Sequence, residues 1–245
     1  MISIITTSYN SSNTISDCII SINKQLFPDI EHIFIDGASN DDTINIIKLK
    51  SNRKCKIINE IDKGIYDAFN KGIKIASGNI VGFVHSDDFL NNNEVIKKIS
   101  DYFTYYDCDC LYSDIEYINK YNNNKRIRYW KSGSFERKKL RTGWMPPHPT
   151  FYCKKEVYEK YGLYNLDYKI CADYEFMLRI LKNKNIKCCY LPELTYSMRV
   201  GGKSNNSIKN SFRKFKEDYM AVRNNNIGNI DTVILKKLRK LQQFL

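Results

Sequence analysis

Two adjacent carboxylates, Asp87 and Asp88, follow the short apolar run Ile80–Val84. Neighbouring carboxylates at the end of a buried strand repel each other and lose hydration, so they cost energy unless a cation or hydrogen-bond donors compensate. A hard divalent ion supplies that compensation. Mg²⁺ typically takes one or two carboxylates and completes its shell with water and substrate phosphates. The plainer alternative is that one of the pair caps a helix starting near Asn91. Three more polar clusters follow apolar runs: Thr6-Thr-Ser-Tyr-Asn10, Asp36-Gly-Ala-Ser-Asn-Asp-Asp-Thr43 and Glu60-Ile-Asp-Lys-Gly-Ile-Tyr-Asp67. Each alone reads equally as a turn or a cap; four at the ends of consecutive strands read as one site.

Further along, Asp173 opens an amphipathic stretch, where it suits a general base or a helix cap, with Arg179 spaced to pair with Glu175. Trp144-Met-Pro-Pro-His-Pro-Thr-Phe151 joins a Trp, a His and three prolines, a rigid backbone with a flat apolar face for a sugar. There His148 is expected to contact acceptor or phosphate. Arg199-Val-Gly-Gly-Lys-Ser204 places a glycine pair between Arg199 and Lys203, either a cationic loop over a diphosphate or a strand-to-helix turn.

The elements that must position these residues alternate over the first 110 positions. Short β-rich runs at Ile2–Thr7, His32–Ile35, Cys55–Asn59 and Ile80–Val84 are separated by stretches with helical spacing, such as Ile15, Ile19 and Ile22. Continuous apolar strands between helices imply an α/β fold with a parallel sheet covered on both faces. Beyond Asp109 the pattern changes. A hairpin is expected from Leu111–Ile118 and Arg126–Trp130, then helices at Lys155–Tyr161 and from Asp173 to about Lys182. Two short strands, Lys187–Leu191 and Leu194–Arg199, and two basic helices over 206–224 and 231–245 follow.

The 245 residues suffice for one large domain, and 42% hydrophobic with 27% charged residues is ordinary globular composition. The formal charge is +12, yet residues 203–245 hold +7 of it (ten basic, three acidic), which leaves +5 for the rest. A chain-long nucleic-acid surface is therefore not expected. Eight cysteines without CxxC spacing read as scattered thiols in a reducing cytosol. Nothing near the N-terminus reads as a secretory leader, and no window approaches the ~18 apolar residues of a membrane span.

Taken in order, Thr7-Ser-Tyr-Asn10, Asp36-Gly-x-Ser-x-Asp-x-Thr43, Asp62-Lys-Gly-Ile-Tyr-Asp-Ala-x-Asn-Lys-Gly72, Ser86-Asp-Asp88 and Ala172-Asp-Tyr-Glu175 make the chain resemble the inverting nucleotide-sugar glycosyltransferases of family 2, such as act in bacterial surface-polysaccharide synthesis. The resemblance covers roughly residues 1–202. It implies a GT-A fold, with a mixed, mainly parallel sheet flanked by helices. Residues 1–110 would form the nucleotide-binding half, 111–202 the acceptor-binding half and 203–245 a basic helical C-terminal appendage. By position, Tyr9 would stack on the nucleobase and Asp36 would hydrogen-bond its edge. Thr7, Asn10, Asp62, Lys63 and Asp67 would line the nucleoside pocket. Asp87 and Asp88 match the step that holds Mn²⁺ or Mg²⁺, with Asp88 the expected direct ligand, and Asp173 matches the general base. Two departures stand out: Ala172 precedes the base where the family often has an acid, and His85 stands where it often has Asp.

The resemblance implies single-displacement transfer from a nucleotide-sugar, a UDP-sugar by preference, to a glycan or lipid-linked acceptor. A nucleotidyltransferase would share the sheet and the carboxylates, but it would want a Gly-rich basic loop after strand one, and Thr6–Asn13 has neither Gly nor Lys. No GxGxxG or GxxxxGK[ST] is present. A non-catalytic nucleic-acid binder would need a basic face where the loops here are acidic. The last helix sets Ile234, Leu238, Leu241 and Leu245 beside Lys236, Lys237, Arg239 and Lys240, suited to an anionic membrane, a second subunit or the body itself. A cytoplasmic protein, peripheral at the inner membrane face if that helix binds lipid, is the expectation; a homo-oligomer is compatible with it.

Overall fold

The computed structural model describes residues 1–123, 125–201 and 208–240. The expected alternation is present: β1 (Ile2–Ser8), α1 (Ile15–Asn23), β2 (Ile30–Asp36), α2 (Thr43–Lys50), β3 (Lys54–Asn59), α3 (Ile65–Ile75) and β4 (Ile80–Phe83). β1 lies between β2 and β4, parallel to both, with Ile2 opposite Ile30 and Ile80. Both faces of these strands are covered. Ile5, Ile33 and Ile35 pack towards Phe69 and Ile73 of α3, while Ile2, Ile4 and Ile30 pack with Cys18 and Ile22 of α1. This two-sided burial is why the strands read as unbroken apolar runs.

The second half adds β5 (Phe89–Leu90), α4 (Val95–Tyr106), β6 (Cys110–Ile118), β7 (Arg126–Trp130), β8 (Tyr152–Lys154), α5 (Lys155–Tyr161), α6 (Ala172–Leu181), β9 (Cys188–Arg199), α7 (Ile208–Asn224) and α8 (Ile230–Arg239). Among the described residues nine strands form one mixed sheet, ordered β3-β2-β1-β4-β8-β6-β9-β5 with β7 on β6. The three-residue β8 is antiparallel to both β4 and β6 and joins the two halves. It is too short to show a period, and nothing in its sequence announced it. The two strands expected over 187–199 are one. β9 pairs with β6 throughout, its register shifting where Leu191 opposes Ser113 and Leu194 opposes Asp114. The skipped residues are Pro192, which lacks an N–H for the ladder, and Glu193.

One expectation needs correction. Cys108 and Cys189 are not separate thiols: β6 and β9 bring them together as a disulfide, with Cα atoms 6.1 Å apart. The other six cysteines are free. The expected C-terminal helices are present as α7 and α8, and they pack on the body. Ala221, Val222, Ile227 and Val233 belong to the core cluster that holds Tyr174 and Met177 of α6, because α7 and α8 bury apolar surface that α6 would otherwise expose. The face of α8 turned to the body carries Thr232, Val233 and Lys236, whereas Ile234 and Leu238 are exposed; Leu241 and Leu245 lie outside the described residues. No helix among the described residues is long and apolar enough to cross a membrane.

At the sheet edge where β1 begins, Glu31 of β2 is fully buried and gathers its neighbours. Its carboxylate accepts from Ser3 Oγ (2.7 Å), Ser77 N (2.8 Å) and Ser77 Oγ (3.0 Å), and pairs with Lys56 Nζ at 2.8 Å. Burial alone would raise its pKa, but these bonds outweigh it and hold the group at about 2, against an ordinary 4.5. The stabilisation is therefore complete above pH 4.5 and is lost as pH falls towards 2. Glu31→Gln should lower unfolding free energy at pH 7 by roughly 1–3 kcal/mol, and the difference should vanish near pH 2. Urea titrations at the two pH values check this.

Candidate active site

The loops that follow β1, β2, β3 and β4 meet around a cavity of about 980 Å³. It opens where the strand order turns outward from β1 in both directions, the position at which open α/β sheets bind ligands. Thr7, Tyr9 and Asn10 line it from the first loop, Asp62 from the third and Asp87 from the fourth, with Arg199 closing one side. These six expected residues are thus brought together.

Hydrogen bonds between loops hold the wall. Asn10, at φ 50°, donates its N–H to Ser39 Oγ (2.8 Å) and accepts from Asn40 N (3.0 Å). Ser11 Oγ lies 3.0 Å from Ser86 Oγ, joining the first and fourth loops. Asp41 accepts from Ser12 N and Thr43 N; burial opposes its ionisation, but these bonds hold its pKa well below the carboxylate range. Gly37 needs its missing side chain, because a Cβ there would sit 2.8 Å from Asp62 Oδ2. Gly64 needs its conformation instead: at φ 112° it opens α3, and its N–H donates to Asp62 Oδ1 at 2.8 Å.

Other expected residues stand behind the wall. Asp36 is fully buried, and its carboxylate accepts from Ser8 Oγ, Ser39 N and Ser39 Oγ, all at 2.7 Å. Asp67 accepts from Lys63 N (3.0 Å) and lies 3.6 Å from Lys71, so Lys63 and Asp67 shape the turn into α3 rather than the cavity lining. Of the adjacent pair, Asp87 reaches the cavity and Asp88 does not. Asp88 is turned inward, accepting from Arg199 N (2.9 Å) and Tyr196 OH (3.3 Å). Burial, and then the charge of Asp87, push its pKa well up.

Arg199 is correspondingly not on a loose loop. It ends β9 and is 6% exposed, with Nη1 donating to Asp87 O (2.6 Å), Nε to Asn123 Oδ1 (3.2 Å) and Nη2 to Asp17 Oδ2. Lys203 lies outside the described residues. Trp144 offers no open face in this cavity. It is buried against Tyr112 and Phe135, its Nε1 donating to Ser132 O at 3.2 Å, and it lines a different cavity. His148 is also buried, its Nε2 2.8 Å from Tyr164 OH and its ring stacked on Phe69. Burial holds it at about 4 and neutral at pH 7.

Asp173 stands in the first turn of α6, half-buried, and accepts from Tyr66 OH at 3.1 Å. Tyr66 belongs to α3, whose opening residues Gly64 and Ile65 line the cavity. Burial lowers the pKa of His85, and the charges of Asp87 and Asp173 oppose that lowering. Asp173 itself is not among the residues that line the cavity. Glu217 of α7 fixes the approach to α6: its carboxylate accepts from Lys169 N (3.1 Å), Ile170 N (2.8 Å) and Cys171 N (3.0 Å). Glu175 is engaged with Arg179 through two 3.0 Å bonds, as the spacing implies.

With this geometry in view, residues 3–162 match the model of glycosyl transferase family 2. The chain belongs to that family. A PGL/p-HBAD biosynthesis glycosyltransferase from Mycobacterium bovis is 27% identical over 219 residues, covering 87% of this chain and 83% of its own. The UDP-Glc:alpha-D-GlcNAc-diphosphoundecaprenol beta-1,3-glucosyltransferase WfaP of Escherichia coli is 30% identical over 220 residues, covering 87% and 84%. Among solved structures, S. aureus TarS superposes with a TM-score of 0.67 at 21% identity, over 90% of this chain but only 39% of TarS. That likeness concerns the fold, a mixed sheet flanked by helices of the GT-A type.

The enzyme is a glycosyltransferase, and one residue that sequence reasoning passed over, Lys120 of the β6–β7 hairpin, also lines the cavity. Ser86, Val200 and Gly201, which lay inside quoted motifs, line it too. The hairpin read as remote because only the β6–β9 pairing, Ile118 opposite Arg199, carries it to the cavity. Tyr66 was inside a quoted motif, but its bond to Asp173 spans 107 positions.

The histidines give a pH test. His32 is held at about 3 and His148 at about 4, both by burial, against an ordinary 6.5. The unfolded chain takes up those protons first, so stability is full above pH 6.5 and falls as pH drops towards 4. Each histidine contributes up to about 1.4 kcal/mol per pH unit in that window. His148→Phe should flatten the acid limb of urea midpoints between pH 7 and 5; an unchanged slope would show that His148 titrates normally.

Proposed function

We propose that this glycosyltransferase moves a sugar from a nucleotide-sugar, preferably a UDP-sugar, to a hydroxyl of a glycan or lipid-linked acceptor by inverting single displacement. The observation that carries the reading is the meeting of the four strand-end loops at one cavity, with Asp87 on its wall and Asp173 bonded to Tyr66 of the helix that the third loop enters. The name of WfaP, with a UDP-sugar donor and a diphosphoundecaprenol-linked acceptor, supports it. So does the solved TarS complex with UDP-GlcNAc, 20% identical over 91% of this chain and 65% of that one, with a TM-score of 0.67.

In this reading Tyr9, 53% exposed at the rim, stacks on the base, with Thr7, Asn10 and Asp62 around the nucleoside. The residues present fit Mn²⁺ or Mg²⁺. Asp87 offers a hard oxygen donor on the cavity wall, whereas Asp88, the ligand expected from sequence, is turned inward onto Arg199 N and Tyr196 OH. Among the described residues no group of three or more His, Cys, Asp or Glu gathers to form a full protein cage. Asp87 would hold the ion, which when bound supplies Lewis-acid stabilisation of the departing diphosphate. A mannosyltransferase of Pyrobaculum calidifontis, 14% identical, has been solved with GDP-Man and Mn²⁺.

Asp173 accepts the proton of the attacking hydroxyl. Tyr66 orients it through the 3.1 Å bond, and Glu217 holds the turn from which it projects. Burial lowers the pKa of His85 and of His148, so neither adds a positive charge that would weaken a base. The inward Asp36, Asp88 and Arg199 keep the loops at their spacing, and Lys120 brings a cation to the mouth.

Asp173→Asn should reduce transfer by about 10²–10⁴-fold, the usual share of a general base, while leaving nucleotide-sugar binding within twofold. Tyr9→Ala should weaken nucleotide binding by roughly tenfold or more, as loss of a stacking platform does. Thermal-shift titration with UDP- and GDP-sugars, with and without Mn²⁺, measures binding alongside turnover. Asp173→Asn protein that loses nucleotide binding would assign Asp173 a structural role instead.

A further inference from the structure

A second cavity, of about 530 Å³, lies between β7, the Gly143–Met145 turn and α8. Six of its lining residues are cationic: Arg126, Arg128, Lys131, Lys236, Arg239 and Lys240. No Asp or Glu lines it. The rings of Tyr129, Trp130 and Trp144, with Ile127 and Met145, complete the wall.

The cavity is held in shape by the fold. Gly143, at φ 72°, lets its turn press on α8, where a Cβ would stand 2.4 Å from the backbone nitrogen of Lys236. Arg239 is anchored on that turn, Nε donating to Thr142 O (2.8 Å) and Nη2 to Thr142 Oγ1 (2.7 Å). Lys236 pairs with Asp218 at 2.6 Å and Arg126 with Glu116 at 2.7 Å, both acids lying outside the lining. Among the described residues Lys131, Arg239 and Lys240 pair with no carboxylate. Desolvation, then the charges of Lys214, Lys236 and Arg128, lower Lys240 to about 8. Gathered cations with rigid anchoring and too few acids are stabilised by a multivalent anion.

The donor's diphosphate has its place in the first cavity, so an anion here belongs to another molecule. The β6–β7 hairpin links the two sites, with Lys120 in the first cavity and β7 along the second. Aromatic and apolar lining beside the cations suits a phosphate group attached to a larger body better than a free ion. We propose that the second cavity binds the diphosphate of a lipid-linked acceptor, a step that rests on the acceptor reading above and narrows it. The cations that the last helix shows in sequence would thus grip the acceptor, since Lys236, Arg239 and Lys240 line this cavity.

The chain has two tryptophans, and both Trp130 and Trp144 line this cavity and not the first. Tryptophan fluorescence of the full chain therefore reports on it directly. Decyl diphosphate, kept below its micelle concentration, should give a saturable change that persists under saturating UDP. The double variant Lys131→Gln/Lys240→Gln, both side chains exposed, should bind at least tenfold more weakly while retaining its melting temperature. Inorganic pyrophosphate should bind at least tenfold more weakly than decyl diphosphate. No saturable change, loss of the change under UDP, equal binding by the double variant, or equal binding of the two probes would each overturn the proposal. Thermal shift with nucleotide-sugars on the same samples tests the donor reading separately: nucleotide binding without the fluorescence change sinks this inference alone, and the converse sinks the donor reading.

Discussion

A carboxylate set inside a protein must be compensated, and at the head of this sheet Arg199 and Tyr196 compensate Asp88. β9 delivers both residues. Its last N–H and the Tyr196 hydroxyl bond the buried carboxylate, while the Arg199 guanidinium reaches Asp17, the Asp87 carbonyl and Asn123. One side chain thereby ties α1, the turn after β4 and the β6–β7 hairpin together. The placement of Asp87 at the cavity, and of Lys120 at its mouth, follows from that tie. Removing the guanidinium would free the Asp87 carbonyl, Asn123 and Asp17 together, and with them the tie between the three segments.

The C-terminal helices have a comparable part at the other end of the site. α7 brings Glu217 to three backbone N–H groups just before Asp173, and α8 brings Lys236 over the Tyr174 ring at 3.2 Å. The family model ends at residue 162, so the candidate base and its support lie beyond the matched segment. Asp173 nevertheless approaches the matched half through Tyr66, and the second cavity is built from β7, the Gly143 turn and α8 together.

Much of this architecture was legible in the order of residues. The βα alternation shows because strands buried on both faces must be continuously apolar, and the loops that end them must be polar. Thr7, Tyr9, Asn10, Asp62 and Asp87 line the cavity for that reason. The second half was less legible. β8 is three residues long, the Cys108–Cys189 disulfide joins positions 81 apart, and Trp144 and His148 looked exposed only because their neighbours in space are distant in sequence.

By itself, the sequence determined that strands and helices alternate and that the polar loops of consecutive strands share one edge, since apolar periodicity and strand direction are local properties. Tertiary structure alone decided which of two adjacent aspartates faces the cavity, because a one-residue step turns a side chain from solvent into the core. It also decided that Arg199 is a brace and that Lys236 of α8 faces inward. Those outcomes depend on what packs opposite, and a linear pattern does not contain that.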